Sequence, residues 1–267
     1  MDLIDFHTHV FPDPIAAKGT RSISGFYHLE GDCPLGNADT LLRLEQEAGV
    51  SRCVILPVGM KPEQVRHVNE FAAGLAREHP QLIPFGTVHA AQEDLCQEAE
   101  YLVAQGCRGI KIHPDMQQFA IDDLRLYPLY DYLQGTLPVI FHMGDALFNY
   151  SHPIRLRRIL QQFPGLTCIA AHLGGFTMYE TAYENLYDQN CFLDVSSITR
   201  PLTREEARRR IRSYGAERLV FGTDFPLWDP VKEVKAFLEL GLEDRELEQI
   251  GWKTACGILK ADSPDSL

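Results

Sequence analysis

Two histidines separated by a single residue, His7 and His9, stand at the end of the first apolar run of the chain. In a β-strand, residues two positions apart point to the same side, so both imidazoles would face one direction. Imidazole nitrogens are common ligands of zinc and related divalent ions. The spacing therefore indicates that the pair could bind one ion, although a His-x-His sequence on its own also occurs by chance.

Two more residues with metal-binding side chains stand at the ends of apolar runs. His142 interrupts the run 138–143, where the alternative is a buried neutral histidine bonded to a backbone carbonyl. Asp224 ends another run, and burying an unpaired carboxylate is costly, so it needs a cation or several N–H donors. One divalent ion would satisfy these two residues and the histidine pair together. Mixed imidazole and carboxylate ligation suits zinc first, with iron, manganese or cobalt as alternatives.

Eight short apolar runs, rich in Val, Ile and Phe, recur along the chain and indicate the elements that position these side chains. They cover residues 3–9, 53–58, 82–88, 109–113, 138–143, 167–173, 191–197 and 218–225. Runs of this kind are typical of parallel strands buried on both faces. Helical patterns lie between them, for example at 92–105 and at 203–214, where Thr203 and Glu206 have the spacing of a capping box.

The alternation of strands and helices predicts an α/β protein with a single (β/α)8 TIM barrel over residues 1–267. The alternative is a doubly wound open sheet, which the absence of a glycine-rich phosphate loop after any strand disfavours. A long segment after the first strand, residues 10–37, is interpreted as a lid loop over the pocket. The tail at 261–267 is expected to be frayed. In such a barrel, active sites lie at the carboxyl ends of the strands, where these histidines and Asp224 fall.

Composition narrows the partners and the compartment. The chain has 25 Lys and Arg against 37 Asp and Glu, a net charge of −12, which argues against nucleic acid or an anionic membrane as a partner. No apolar run approaches the length of a membrane span, and the first residues do not resemble a secretory signal. The seven cysteines are scattered without a CxxC motif, so we expect reduced cysteines and a cytoplasmic protein. Whether the chain forms a homo-oligomer is left open.

Four motifs together resemble the amidohydrolase superfamily: HTH after the first strand, a histidine ending the fifth, AHLGG ending the sixth and GTDFP ending the eighth. The resemblance spans positions 3 to about 226. It is to the branch that includes aminocarboxymuconate semialdehyde decarboxylase-like proteins and small TIM-barrel metal-dependent hydrolases. The resemblance implies a metal bound by His7, His9, His142 and Asp224. It also implies that His172 either binds a second metal or polarises the substrate.

The resemblance implies a metal-dependent hydrolase that cleaves an amide, ester or lactone bond of a small-molecule substrate. A divalent ion lowers the pKa of water from about 15.7 toward about 7. Asp224 could accept the proton of that water and pass it to the leaving group, and His172 could donate to the oxygen that gains charge. One alternative is a non-oxidative decarboxylase, which the compact length of the chain disfavours. The other is a non-catalytic metal-binding barrel.

Lys111 and His113 are two residues apart in the fourth strand, so their side chains share a face. This segment resembles the one that carries a carboxylated, metal-bridging lysine in some two-metal relatives. The alternative is that Lys111 forms an ion pair with Asp5 or Asp194. Candidate substrate-binding residues are His113, His89 and Arg21. For these three the alternatives are, in turn, a cap at the strand end, a loop residue and a surface arginine.

Overall fold

Nine short strands account for the apolar runs of the sequence in the computed structural model, which describes residues 2–29, 33–145 and 147–267. The strands are β1 Ile4–Thr8, β2 Arg52–Ile55, β3 Leu82–Pro84, β4 Gly86–Thr87, β5 Ile110–Ile112, β6 Val139–Phe141, β7 Cys168–Ala170, β8 Phe192–Asp194 and β9 Leu219–Val220. Every predicted run overlaps a strand, and the run 82–88 contains two, separated by Phe85. The strands are shorter than the runs because residues that follow them, such as Val88 and Met143, are also buried.

Helices alternate with the strands, as the sequence pattern predicts. They are α1 Asp13–Phe26, α2 Ala38–Ala48, α3 Pro62–Glu78, α4 Leu95–Ala104, α5 Pro114–Gln117, α6 Tyr127–Leu133, α7 Pro153–Gln162, α8 Tyr179–Leu186, α9 Arg204–Tyr214, α10 Pro230–Leu238, α11 Asp244–Glu248 and α12 Thr254–Leu259. The predicted helices at 92–105 and 203–214 correspond to α4 and α9. The capping box of α9 is confirmed, because Thr203 Oγ1 accepts a hydrogen bond from Glu206 N and the Glu206 carboxylate accepts one from Thr203 N.

The first of two compact units comprises Met1–Ile55 and Ser196–Leu267, and strand β1 is fully buried in it. β1 pairs in parallel with β2. The chain after β8 also runs along β1. Phe6 N donates to the Phe221 carbonyl at 2.8 Å, and His9 N donates to the Phe225 carbonyl at 2.7 Å. These contacts bring the end of β1 next to the segment that carries the predicted aspartate ligand.

The segment between β1 and α2 differs from the predicted lid loop, because helix α1 occupies its first half. Glycine lowers helix propensity, and the sequence pattern therefore hid this helix. In the structure, the ring of Phe11 lies over Gly19, where an added Cβ would meet it at 2.6 Å. The two ends of the segment are joined, because Phe11 N donates to the Gly36 carbonyl (2.8 Å) and Gly36 N donates to Thr20 Oγ1 (2.9 Å). A Cβ at Gly36 would lie 2.9 Å from Pro226 Cγ.

Two other predictions on chain segments have different outcomes. Residues 30–32 of the predicted lid lie outside the described residues, and the role of the segment as a lid stays a prediction. The tail that was expected to be frayed contains a short 3-10 turn, Pro264–Ser266. Proline suits the first position of such a turn, and Ser263 N donates to Ser266 Oγ at 3.0 Å.

The second compact unit, Leu56–Val195, contains β3 and five parallel strands in the order β4-β5-β6-β7-β8. Neighbouring strands are in register, with Ile110 opposite Val139 and Val139 opposite Cys168. Helix α3 packs on β3 and β4, α4 packs on α6, and α7 packs on α8. Parallel strands that alternate with helices confirm the predicted α/β class. The prediction of one domain over residues 1–267 stays a prediction.

The cysteines agree with one expectation from composition. All seven cysteines lie in the described residues, where none forms a disulfide, and Cys53, Cys107, Cys168 and Cys191 are buried as expected for reduced core residues. Burial raises the pKa of the Cys107 thiol to about 12, so it stays protonated. Within residues 2–29, 33–145 and 147–267, every helix is too short or too polar to cross a membrane.

Candidate metal centre

His7 and His9 face each other at the carboxyl end of β1, as the two-residue spacing predicts. His7 is the fourth residue of the strand, and His9 follows the strand directly. Their Nε2 atoms lie 3.3 Å apart, and the two side chains are almost fully buried. The strand thus directs two imidazole nitrogens to one point inside the first unit.

Asp224 brings a carboxylate to the same point. Its backbone amide donates to the His7 carbonyl at 2.8 Å, which holds the aspartate beside the strand. Asp224 Oδ1 lies 3.5 Å from His7 Nε2 and 3.8 Å from His9 Nε2. Three groups of metal-ligating type therefore converge within the first unit, and all three are buried.

The three donor atoms fit a divalent metal ion. Tetrahedral coordination with bonds of about 2.0–2.1 Å places ligand atoms roughly 3.3 Å from one another. The separations in this cluster are 3.3, 3.5 and 3.8 Å, which is close to that requirement. Two imidazole nitrogens and one carboxylate oxygen suit zinc, iron or manganese. A single ion would also neutralise the buried carboxylate, which otherwise costs free energy in this environment.

Two serines that the sequence analysis did not single out contact these ligands. Ser196 Oγ lies 3.3 Å from His7 Nδ1, and Ser197 Oγ donates to Asp224 Oδ2 at 2.6 Å. When His7 Nδ1 donates to the Ser196 hydroxyl, the Nε2 lone pair is left for a metal. Both serines end the predicted strand 191–197, so their position at a strand end was the only signal in the sequence.

Asp5 holds the backbone behind His7 in place. Its carboxylate accepts hydrogen bonds from His7 N (2.9 Å), from Thr223 N (3.0 Å) and from the Thr223 hydroxyl. Burial raises the pKa of Asp5. Burial, and then the charge of Asp5, raise the pKa of Glu45 well above its usual range.

Three histidines lie together in the second unit. The His113 and His142 rings are stacked, with centroids 4.0 Å apart, and His142 Nδ1 lies 3.1 Å from His172 Nε2. His142 Nε2 lies 3.1 Å from the Gly144 carbonyl, which only accepts, so this contact is a hydrogen bond in the tautomer that carries the hydrogen on Nε2. This contact is the one that the alternative interpretation of a carbonyl-bonded histidine describes. The assignments of His142 as fourth ligand and of His172 as ligand or donor stay predictions.

Asp115 is a buried carboxylate that the sequence analysis missed, although the sequence His-Pro-Asp at 113–115 was a signal. It accepts hydrogen bonds from the Ser151 hydroxyl and from Ser151 N. Burial raises its pKa to about 6. Asp115, His113 and His142 form another group of metal-ligating type. It fits an ion less well than the first group, because both oxygens of the Asp115 carboxylate already accept hydrogen bonds from Ser151, whereas Asp224 Oδ1 faces two imidazoles.

The remaining candidate residues are dispersed. His89 is half-buried in a loop, its Nδ1 accepts from Ala91 N at 3.2 Å, and burial lowers the pKa of its imidazole. His113 Nδ1 accepts from Met116 N at 3.3 Å, as the capping alternative predicts. Arg21 is exposed on α1, and Lys111 is fully buried in β5. Substrate binding by the first three, and a metal-bridging role of the lysine, stay predictions.

Gly222 is the position where an added side chain would disturb the centre most directly. A Cβ there would lie 2.8 Å from His7 Cβ. We expect Gly222→Ala to displace His7, to lower the free energy of unfolding by about 1–3 kcal/mol and to weaken zinc binding. Gly257→Ala is the matched control, because a Cβ at this helical position has no neighbour within 4 Å. Urea denaturation and zinc titration measure both effects, and unchanged zinc affinity in Gly222→Ala would contradict the expectation.

Solved structures of similar fold extend along the whole chain. An uncharacterised TIM-barrel protein from Bordetella bronchiseptica is 21% identical, with a TM-score of 0.81 over 97% of this chain and 99% of that chain. A dihydroxybenzoic acid decarboxylase from Polaromonas sp. JS666 with bound manganese is 17% identical, with a TM-score of 0.76 over 100% and 99%. A putative 2-pyrone-4,6-dicarboxylic acid hydrolase from Pseudomonas putida is 20% identical, with a TM-score of 0.71 over 97% and 97%. These similarities show the fold alone, and they confirm the predicted (β/α)8 TIM-barrel class.

The family is shown by the sequence itself. No curated protein sequence matches the chain. The sequence profile of the amidohydrolase family matches residues 4–260. This range contains His7, His9 and Asp224 as well as His113, His142 and His172. The match confirms the resemblance seen in the motifs. The chain therefore belongs to the amidohydrolase family.

Proposed function

We propose that the chain is a metal-dependent hydrolase that cleaves an amide, ester or lactone bond of a small molecule. The convergence of His7 Nε2, His9 Nε2 and Asp224 Oδ1 within 3.8 Å supports this proposal most strongly. Such a buried set of two imidazoles and one carboxylate has the donor types and spacing of a catalytic metal site. The family assignment supports the same conclusion.

These three residues would hold the ion, with zinc as the first choice and manganese as the alternative. A bound divalent ion polarises the bond to be broken and makes water acidic enough to lose a proton near neutral pH. The choice of zinc follows from the imidazole ligands. Manganese is supported by its presence in the similar dihydroxybenzoic acid decarboxylase.

Asp224 is the proposed general base. Its Oδ2 is held by the Ser197 hydroxyl, while Oδ1 faces the two imidazoles, so the carboxylate has a fixed orientation toward the centre. A carboxylate held in this way accepts a proton from the attacking water and delivers it to the leaving group. His7 and His9 keep their Nε2 atoms directed at the same point and take no part in proton transfer.

Decarboxylation is the second candidate, and one observation favours it. The similar manganese-containing decarboxylase aligns over 99% of its own chain, so compact length does not separate the two reactions. The compounds in the names of that decarboxylase and of the putative 2-pyrone-4,6-dicarboxylic acid hydrolase are both six-membered rings that carry carboxyl groups. We therefore propose a small carboxylated ring compound, either a lactone or an aromatic acid, as the first substrate class to test.

An isotope experiment separates the candidates. Separate zinc-loaded and manganese-loaded preparations are incubated in H2¹⁸O with carboxylated lactones, simple esters, amides and hydroxybenzoic acids. The organic products are then analysed by mass spectrometry. Hydrolysis is expected to place one ¹⁸O atom in the product, and chelator-treated protein is the control. Release of carbon dioxide without ¹⁸O in the organic product would replace hydrolysis by decarboxylation. Retained metal without any turnover would instead support a non-catalytic metal-binding barrel.

A further inference from the structure

Three side chains of the first unit form a continuous chain of hydrogen bonds that ends at the proposed base. Trp228 Nε1 donates to Ser197 Oγ at 2.8 Å, and Ser197 Oγ donates to Asp224 Oδ2 at 2.6 Å. Ser197 and Asp224 are 3% and 5% exposed, so water competes little for these contacts. The three residues are separated by up to 31 positions in sequence, and only the fold brings them together.

The direction of this chain is fixed by the chemistry of its members. An indole N–H only donates, and an ionised carboxylate only accepts. The hydroxyl between them must therefore accept from Trp228 and donate to Asp224, which leaves it one orientation. The 2.6 Å contact has the length of a hydrogen bond to a charged acceptor, the stronger class of such bonds.

The hydrogen-bond chain determines which oxygen of Asp224 faces the metal centre. Because Oδ2 is engaged by Ser197, Oδ1 is the oxygen that lies 3.5 Å from His7 Nε2. We propose that Ser197 and Trp228 are positioning residues that hold Asp224 in the orientation needed to bind the metal and to accept a proton. The inference rests on the proposed function for the proton-transfer part, and on the donor geometry alone for the metal-binding part.

The backbone supports a positioning role. Ser197 has φ = 60° and Asp224 has φ = 64°, a left-handed conformation that side chains other than glycine adopt at a cost. Such conformations persist where the surrounding structure imposes them, and they cluster at functional sites. Ser197 and Asp224 share this conformation, and their side chains are hydrogen-bonded to each other. The surrounding structure therefore fixes the backbone so that the serine hydroxyl meets the carboxylate.

The Trp228 indole is also contacted on the face of its ring. The Arg200 guanidinium lies over the Trp228 ring, 4.7 Å from its centroid, and forms an ion pair with Glu233 at 3.3 Å. Glu233 is buried and also accepts a hydrogen bond from the Thr199 hydroxyl at 2.7 Å. The stacked arginine limits the motion of the indole, so that its N–H stays directed at Ser197.

Zinc titration of hydroxyl-deletion variants tests the role of Ser197. Ser197→Ala and Ser197→Gly are expected to weaken zinc binding to the same extent, about 10- to 100-fold, because both remove the hydroxyl. Glycine tolerates the left-handed backbone, so equal effects exclude relief of backbone strain as the cause. Ser213→Ala is the control, since that hydroxyl donates only to a backbone carbonyl of its own helix. Equal zinc affinities of Ser197→Ala and Ser213→Ala would overturn the proposal.

The two tryptophans of the chain provide a matched pair. Trp228 and Trp252 are both half-buried, and each has a cation over its ring. Trp228→Phe removes the N–H donor and is expected to weaken zinc binding about 2- to 10-fold, while Trp252→Phe has no effect. In the Trp252→Phe background, the emission of Trp228 should change on zinc addition, and Ser197→Ala should abolish that change. An unaltered emission change in Ser197→Ala would count against the hydrogen-bond chain.

These readouts separate the inference from the proposed reaction. Zinc affinity and Trp228 emission are measured without any substrate. If the wild-type chain turns over no substrate but Ser197→Ala weakens zinc binding, the proposed reaction fails and the positioning role stands. If the wild-type chain hydrolyses a substrate and Ser197→Ala keeps its kcat and its zinc affinity, the positioning role fails and the reaction stands. Where both hold, kcat falls in Ser197→Ala while KM changes little.

Discussion

Asp224→Asn is expected to reduce kcat by about 10²- to 10⁴-fold, the range that a general acid–base catalyst contributes. The amide has the same shape as the carboxylate and still offers an oxygen to a metal, but it does not accept a proton at neutral pH. The loss should therefore persist when the variant is fully loaded with zinc. Steady-state kinetics together with metal analysis of the same preparation measure the effect.

Asp229→Asn is the matched control for that substitution. Asp229 caps α10 by accepting a hydrogen bond from Val231 N at 3.0 Å, and asparagine serves equally well in this position. We expect its kcat and its stability to equal those of the wild type. Near-normal turnover in zinc-loaded Asp224→Asn would remove Asp224 as the base and would leave it only as a ligand.

His7→Ala and His9→Ala are expected to weaken zinc binding by more than about 100-fold, beyond the 10- to 100-fold that removal of a supporting hydrogen bond causes. Each variant loses one of the three buried donor atoms that converge within 3.8 Å. For the wild type, zinc at about 100 times its Kd should stabilise the folded state by roughly 2.7 kcal/mol. Thermal unfolding with and without zinc, and competition with a coloured chelator, measure both quantities.

His67→Ala is the control for the two histidine variants, because His67 is exposed on α3. Its zinc-dependent rise in Tm should equal that of the wild type. Should His9→Ala retain the full rise in Tm, the ion would have to bind elsewhere, and the group of Asp115, His113 and His142 would be the first place to look.

The sequence was sufficient for the parts of the site that depend on strand periodicity. His7 and His9 share a face because side chains alternate along a strand, and this relation holds whatever lies around them. Asp224 was identified because a carboxylate at the end of a buried strand requires a partner. Both arguments use only neighbouring residues, so the sequence contains what they need.

Other parts of the site depend on contacts that no local pattern encodes. Ser197 meets Asp224 and Trp228 through a left-handed backbone that serine rarely adopts, so neither its conformation nor its partners could be inferred. Helix α1 was missed for a related reason. Its glycines predict a loop, whereas the packing of Phe11 on Gly19 stabilises a helix there. In both places a tertiary contact outweighs the local preference.

Gly36 leaves little freedom at the root of the helical segment that follows β1. A Cβ at this residue would press on Pro226, two positions after Asp224, and on the Thr20 hydroxyl. A laboratory library that randomises this segment to select new substrates would therefore also perturb the aspartate whenever Gly36 changes. Directed evolution should hold Phe11 and Gly36 constant and vary the exposed positions of α1, such as Arg21. Variants selected for a new substrate would then keep the position of Asp224.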